Sequence, residues 1–158
     1  MILKMIMDEQ EIIKIATRFR EAIEKFNLTP EFIGQEAFSR MKNFPHCTCN
    51  EVCTLLGLYL VHKYNFSSLF HYSGQVELGE KWLGTHSWLQ SGDIVIDITA
   101  DQFSMVNYKV IVAKESEFHN IYIKQQFILT ENFSFEDQPD WILRIYEEIN
   151  AIISKNKL

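Results

Sequence analysis

The stretch Thr85-His86-Ser87-Trp88-Leu89-Gln90-Ser91-Gly92-Asp93-Ile94-Val95-Ile96-Asp97-Ile98-Thr99 decides how this chain is read. Two β-friendly runs flank Ser91-Gly92, the pattern of strands joined by a two-residue hairpin loop. Closing the loop on Ser91-Gly92 pairs Gln90 with Asp93, Trp88 with Val95 and His86 with Asp97. Residues opposite one another in an antiparallel ladder share a face, with Cβ atoms about 5 Å apart. His86 is therefore expected beside Asp97 on one face, with Trp88 and Val95 below them. Leu89, Ile94, Ile96 and Ile98 line the other face as plain core. An acid inside the run Ile94–Ile98 is costly to bury without a partner. An imidazole beside a carboxylate has its tautomer fixed and its protonated form stabilised.

Such a pair lacks a nucleophile, and the sequence upstream offers one. All three cysteines lie within Cys47–Cys53. A helix is expected to start around Thr48–Asn50 and run to about Tyr64, burying Val52, Leu55, Leu56, Tyr59 and Leu60. At 100° per residue, Cys49 projects near Val52, Cys53 and Leu56. A thiol at a helix N-terminus is acidified by unpaired N–H groups and the helix dipole, and a cationic His86 would acidify it further. The N–H of Cys49 is placed to donate to an oxyanion. Cys47 precedes the helix and ranks second as nucleophile. Cys53 lies one turn inside, where the dipole fades, and reads as core. Asp101 and Gln102 follow the hairpin as candidate lining residues, Gln102 as an oxyanion donor and Asp101 as a substrate contact. Trp88 is core or a cleft wall. His62, His71 and His119 have no partner visible in the sequence and read as structural.

The remaining elements are read from periodicity. Ile12, Ala16, Phe19, Ile23 and Phe26 form one apolar stripe on a helix from about Asp8 to Phe26. Thr29-Pro30 opens a second helix that stops near Asn43, before Phe44-Pro45. Strands are expected at Ser68–Leu78, Trp82–Gln90, Asp93–Thr99, Tyr108–Ala113 and Ile121–Leu129. A last helix runs from about Pro139 to Lys155, with Ile142, Ile145, Ile149, Ile152 and Ile153 on one face. The predicted fold is α+β: N-terminal helices, one bearing the cysteines, packed on an antiparallel sheet and followed by a closing helix. The 158 residues fit a single domain.

Composition narrows the function. The net charge of −6 and the lack of a basic stripe argue against nucleic acid and against an anionic membrane surface. No segment approaches the roughly 20 apolar residues of a membrane span, and Met1–Met7 lacks a secretory core and cleavage site. Three clustered thiols cannot staple distant parts of the fold, so a reducing, cytoplasmic setting is expected. There is no Gly-rich phosphate loop, and no cofactor is implied.

A Cys at the start of a helix, then a His on one strand and an Asp on the next, is the order found in the papain/transglutaminase-like cysteine enzyme superfamily. Thr85-His86-Ser87-Trp88-Leu89-Gln90 resembles the His-x-Trp segment of the transglutaminase core. Phe44-Pro45-His46-Cys47-Thr48-Cys49 and Asp97-Ile98-Thr99-Ala100-Asp101-Gln102-Phe103 are similar to segments of small bacterial proteins of this group. The resemblance covers roughly Phe44 to Phe103. It implies a papain/transglutaminase-like core in which Cys49 is nucleophile, His86 base and Asp97 orienting acid. It also implies a thioester intermediate and a protein or peptide substrate. Asn50 stands where the transglutaminase core has Trp. The superfamily spans proteases, amidases, deamidases and acyl transferases, so it does not select a substrate. Two other readings stand beside it. One is a catalytically silent interaction module of the same fold. The other is a small zinc-binding domain built on His46, Cys47, Cys49 and Cys53, whose residue types suit zinc.

Overall fold

A computed structural model describes residues 7–27, 36–130 and 133–156. Helix α1 (Glu9–Asn27) buries the stripe Ile12, Ala16, Phe19, Ile23 and Phe26, joined by Ile15. The predicted start of a second helix at Thr29-Pro30 lies outside the described residues. Its end is a 3₁₀ helix, Glu36–Asn43. Helix α2 (Cys49–Tyr64) begins within the expected Thr48–Asn50 and ends on Asn65 in the left-handed conformation, whose N–H returns to the carbonyl of Leu60. Its buried residues run without a break from Leu55 to Leu60. A helix enclosed on nearly all sides is a core helix rather than a surface one. A terminal helix, α4 (Asp140–Lys155), buries Ile142, Ile145, Tyr146, Ile149 and Ile153.

The strands are β1 (Leu69–Leu78), β2 (Lys81–Ser91), β3 (Ile94–Asp97), β4 (Ile111–Ala113) and β5 (Ile123–Thr130). They form one antiparallel sheet in the order β4-β3-β2-β1-β5. Strands β1 to β4 make the expected meander, and β5 returns to the far edge beside β1. The expected strand Tyr108–Ala113 is trimmed to Ile111–Ala113. The expected strand Ile121–Leu129 gives up its first two residues to a short helix, α3 (Glu117–Tyr122). Ser116 caps that helix by accepting the N–H of His119.

The central hairpin turns one residue later than Ser91-Gly92. The pairs are Leu89 with Ile96, Gln90 with Val95 and Ser91 with Ile94. The loop is therefore Gly92-Asp93, with Gly92 at φ +59°, a conformation that favours glycine. His86 and Asp97 are thus not directly opposite. Moving the loop by one residue shifts each pairing by two, so every side chain keeps its face. Leu89, Ile96 and Ile98 join α1, α2 and α4 in the main core. Trp88 and Val95 belong to a second cluster with Val76, Ala100, Phe118 and Ile123.

Candidate active site

Cys49 is the first residue of α2. The preceding Thr48 turns its hydroxyl to the carbonyl of Pro45 at 3.2 Å and does not cap the helix. The first-turn N–H groups are thereby left without that cap, which favours negative charge at this end. The three thiols differ in access: Cys47 is exposed, Cys49 half-buried and Cys53 buried. Burial, with the nearby Cys49 and Asp97, pushes the Cys53 thiol well up. A thiol held protonated is inert, which fits the core reading of Cys53.

His86, on β2, is fully buried. Its Nε2 lies 2.6 Å from Oδ2 of Asp97 on β3. Burial works against a charge on His86. The Asp97 carboxylate and a hydrogen bond with the Cys49 side chain outweigh it, and the imidazole is pushed up to about 9. The structure therefore brings Cys49, His86 and Asp97 together. Phe103 and Phe118 stand edge-on to the imidazole, with centroids 5.3 and 5.7 Å away.

Asp97 is held by more than His86. Its Oδ1 accepts the N–H of Thr99 at 2.9 Å and the Thr99 hydroxyl at 3.4 Å. Its Oδ2 also meets Nε2 of His119 at 2.8 Å. Burial alone would raise this carboxyl, but the charge on His86 and the hydrogen bonds from His119 and His86 hold it well below the usual carboxylate range. His119 has a partner after all. It lies between the expected strands Tyr108–Ala113 and Ile121–Leu129, where no periodicity marks α3, and no spacing rule links residue 119 to residue 97.

Gln102 ends a 3₁₀ turn, Ala100–Gln102. Its Oε1 accepts the N–H of Cys47 at 3.4 Å, and its Nε2 donates to the carbonyl of Thr99 at 3.2 Å. These two backbone groups orient the amide, so its NH₂ faces Nδ1 of His86 at 3.1 Å. While the ring is neutral, a donor there favours Nδ1 as the unprotonated nitrogen and keeps the ring proton on Nε2, toward Asp97. Asp101 gives both carboxylate oxygens to the buried Arg20, at 2.6 and 2.8 Å. Arg20 also donates to the carbonyls of Ile98 and Lys109. Asp101 thus ties α1 to the turn that carries Gln102. Trp88 is buried, with its ring stacked on Tyr72 and its indole N–H toward Gln90. Asn50 accepts the hydroxyl of Ser87 at 2.6 Å, which ties the start of α2 to β2. His62 reaches the carbonyl of Phe133 at 2.8 Å, while Nε2 of the buried His71 has no partner in the described structure.

Among the described residues, the metal-capable side chains that converge are His86, Asp97 and His119, not the His46 and cysteine set. The 2.6 and 2.8 Å separations within this group are hydrogen-bond lengths. Nitrogen and oxygen ligands spread tetrahedrally around zinc stand about 3.3 Å apart.

Beside Phe118 opens a groove of about 430 Å³, lined by Met105, Tyr108, Ile111, Glu117 and Tyr122 among others. No described helix is long and apolar enough to cross a membrane. Comparison of the chain with protein-family models, with curated proteins and with solved structures finds no match in any of the three.

Proposed function

We propose that the protein is a cysteine-dependent hydrolase or acyl transferase that acts on amide or peptide bonds, Gln side-chain amides included. One observation carries the reading: a half-buried thiol on the first residue of a helix interacts with a buried imidazole whose Nε2 meets a buried carboxylate at 2.6 Å. The residue order resembles that of papain/transglutaminase-like enzymes, which agrees with it.

The chemistry then follows from the partners. Nδ1 of His86 takes the thiol proton of Cys49, while Asp97 holds Nε2–H and stabilises the imidazolium. The thiolate attacks the carbonyl carbon, and the electron pair of the C=O bond moves to oxygen. The N–H of Cys49, and the Gln102 N–H that is released once Nδ1 is protonated, are the donors available to that oxyanion. On collapse the C–N bond breaks, and the leaving nitrogen takes the proton from Nδ1. A thioester remains on Cys49. Water or an amine, deprotonated by Nδ1, then attacks the thioester carbon and the C–S bond breaks. Water gives hydrolysis or deamidation, and an amine gives acyl transfer.

Alkylation of each cysteine by iodoacetamide against pH, read by peptide mass spectrometry, tests this. Cys49 is expected to react well below about pH 8.5, the free-thiol range, and His86→Ala is expected to move that range upward. If Cys49 titrates like Cys47 and ignores His86→Ala, the catalytic reading is lost and a silent interaction module becomes the better account. Zinc is the alternative reading, although the 2.6 and 2.8 Å separations among His86, Asp97 and His119 are those of hydrogen bonds and not of zinc ligands. About one equivalent of zinc retained by purified protein, with Cys49 unreactive until chelation, would replace the first reading with the second.

A further inference from the structure

We propose that His119 is a positioning residue of this site: with Ser116 fixing its tautomer, it donates to Asp97 and keeps the carboxylate ionised for His86. The inference rests on the cysteine-enzyme reading and adds a residue outside the Cys49–His86–Asp97 set.

Oδ2 of Asp97 meets Nε2 of His86 at 2.6 Å and Nε2 of His119 at 2.8 Å. Both imidazoles must present N–H there, since a lone pair facing a carboxylate is repelled. For His86 that tautomer is set by Gln102, which donates to Nδ1. For His119 it is set by Ser116, whose Oγ lies 2.5 Å from Nδ1 and also accepts the His119 N–H at 3.4 Å. A hydroxyl that accepts from the backbone has its own proton free for Nδ1, which leaves Nε2–H for Asp97. The buried carboxylate thus receives four donors, two on each oxygen. The titratable groups facing this cluster are Cys49 and Cys53 from α2, His86 from β2, and His119 and Asp97 themselves.

Why this reaches the thiol follows from the shared proton. A carboxylate of such burial stays ionised only while its donors are complete. Without His119, Asp97 draws the proton on Nε2 of His86 toward itself. Positive charge then leaves the imidazole that faces Cys49, and the thiolate loses part of its stabilisation. His119 also packs edge-on against Trp88 and Phe118, each centroid 5.0 Å away. A purely structural role would rest on that packing and not on the N–H.

Two substitutions separate these roles. His119→Phe keeps the ring and removes the donor, while His119→Gln removes the ring and keeps a donor within reach of Asp97. Cys49 alkylation is followed against pH on the full chain, with folding monitored by circular dichroism. His119→Phe is expected to raise the pH range of Cys49 by about one unit, making alkylation about tenfold slower at mildly acidic pH. His119→Gln is expected to restore most of that rate. A wild-type profile in His119→Phe overturns the inference, as does recovery with Phe but not with Gln. Should His119→Phe fail to fold, Ser116→Ala frees the tautomer with the ring in place. It is expected to shift the profile the same way by a smaller amount, and no shift there also overturns the inference. If His86→Ala shifts the profile and none of these variants does, the cysteine-enzyme reading survives without this residue. If His86→Ala has no effect, the enzyme reading itself has failed.

Discussion

The two faces of the β2–β3 hairpin are buried to the same degree and held by different physics. On one face Leu89 and Ile96 are 0% and 1% exposed, packed among the helices. On the other, His86 and Asp97 are 0% and 2% exposed. Apolar burial is favourable by itself and tolerates variation in detail, at about 1.5–3 kcal/mol for each large side chain. Polar burial is favourable only while every donor and acceptor has its partner. The first face therefore supports the fold broadly. The second depends on single bonds from Thr99, Gln102, His119 and Ser116, and in return holds an imidazole and a carboxylate in fixed register beside a thiol. One hairpin can carry both because strand residues alternate between faces.

The comparison breaks first at Asp97. Asp97→Ala removes the shared acceptor of two imidazoles, and denaturant unfolding at neutral pH should show a loss of about 3–5 kcal/mol. Cys49 alkylation should move to the ordinary thiol range with it. Leu89→Ala should lose a comparable amount, about 2–5 kcal/mol, yet leave the alkylation profile of the folded protein unchanged. If Leu89→Ala moves that profile, the two faces are not separable.

The pH dependence of stability sharpens the same contrast. His86 is pushed up to about 9 from 6.5. Its contribution is therefore complete below about 6.5 and fades as pH rises toward 9. Asp97 is held well below its ordinary 3.8, so its contribution is complete above that value and fades only in stronger acid. His71 runs the other way, because burial lowers it from 6.5 to about 4. The unfolded chain gains a proton near 6.5 that the folded chain refuses, so stability declines as pH falls from 6.5 to 4. Unfolding free energy measured against pH should peak near 6.5, each limb amounting to at most about 3 kcal/mol. His71→Leu should flatten the acid limb alone, and a curve that rises steadily from pH 6.5 to 9 would contradict the assignment of His86.

A smaller effect tests the apolar side by itself. Gly57 sits mid-helix in α2, where an added Cβ would overlap the ring of Phe133. Gly57→Ala should cost about 1–3 kcal/mol through overpacking, despite the better helix propensity of alanine. A gain in thermal melting temperature would show that Phe133 yields easily, and that this core is looser than its burial implies.

Much of this molecule was legible in its sequence. The α+β class, the stripe on α1, the start of α2 within Thr48–Asn50 and the closing helix all follow from local signals of periodicity and turn residues. The meeting of His86 and Asp97 on one face was legible too, although the loop is Gly92-Asp93. Alternation fixes which face a side chain takes even when the pairing slides by two. What the sequence did not yield are contacts with no local signature. Helix α3 hid inside a β-rich pattern, because six residues are too few to show a helical period. Arg20 reaches Asp101 across 81 positions, and His119 reaches Asp97 only once β4 and α3 bring it back over the hairpin. By itself, then, the sequence determined the elements and the faces, since those depend on neighbours three or four residues away. The tertiary structure decided how each buried polar group is satisfied, because a desolvated charge takes whatever donor the closed fold brings within about 3 Å, wherever it lies in the chain.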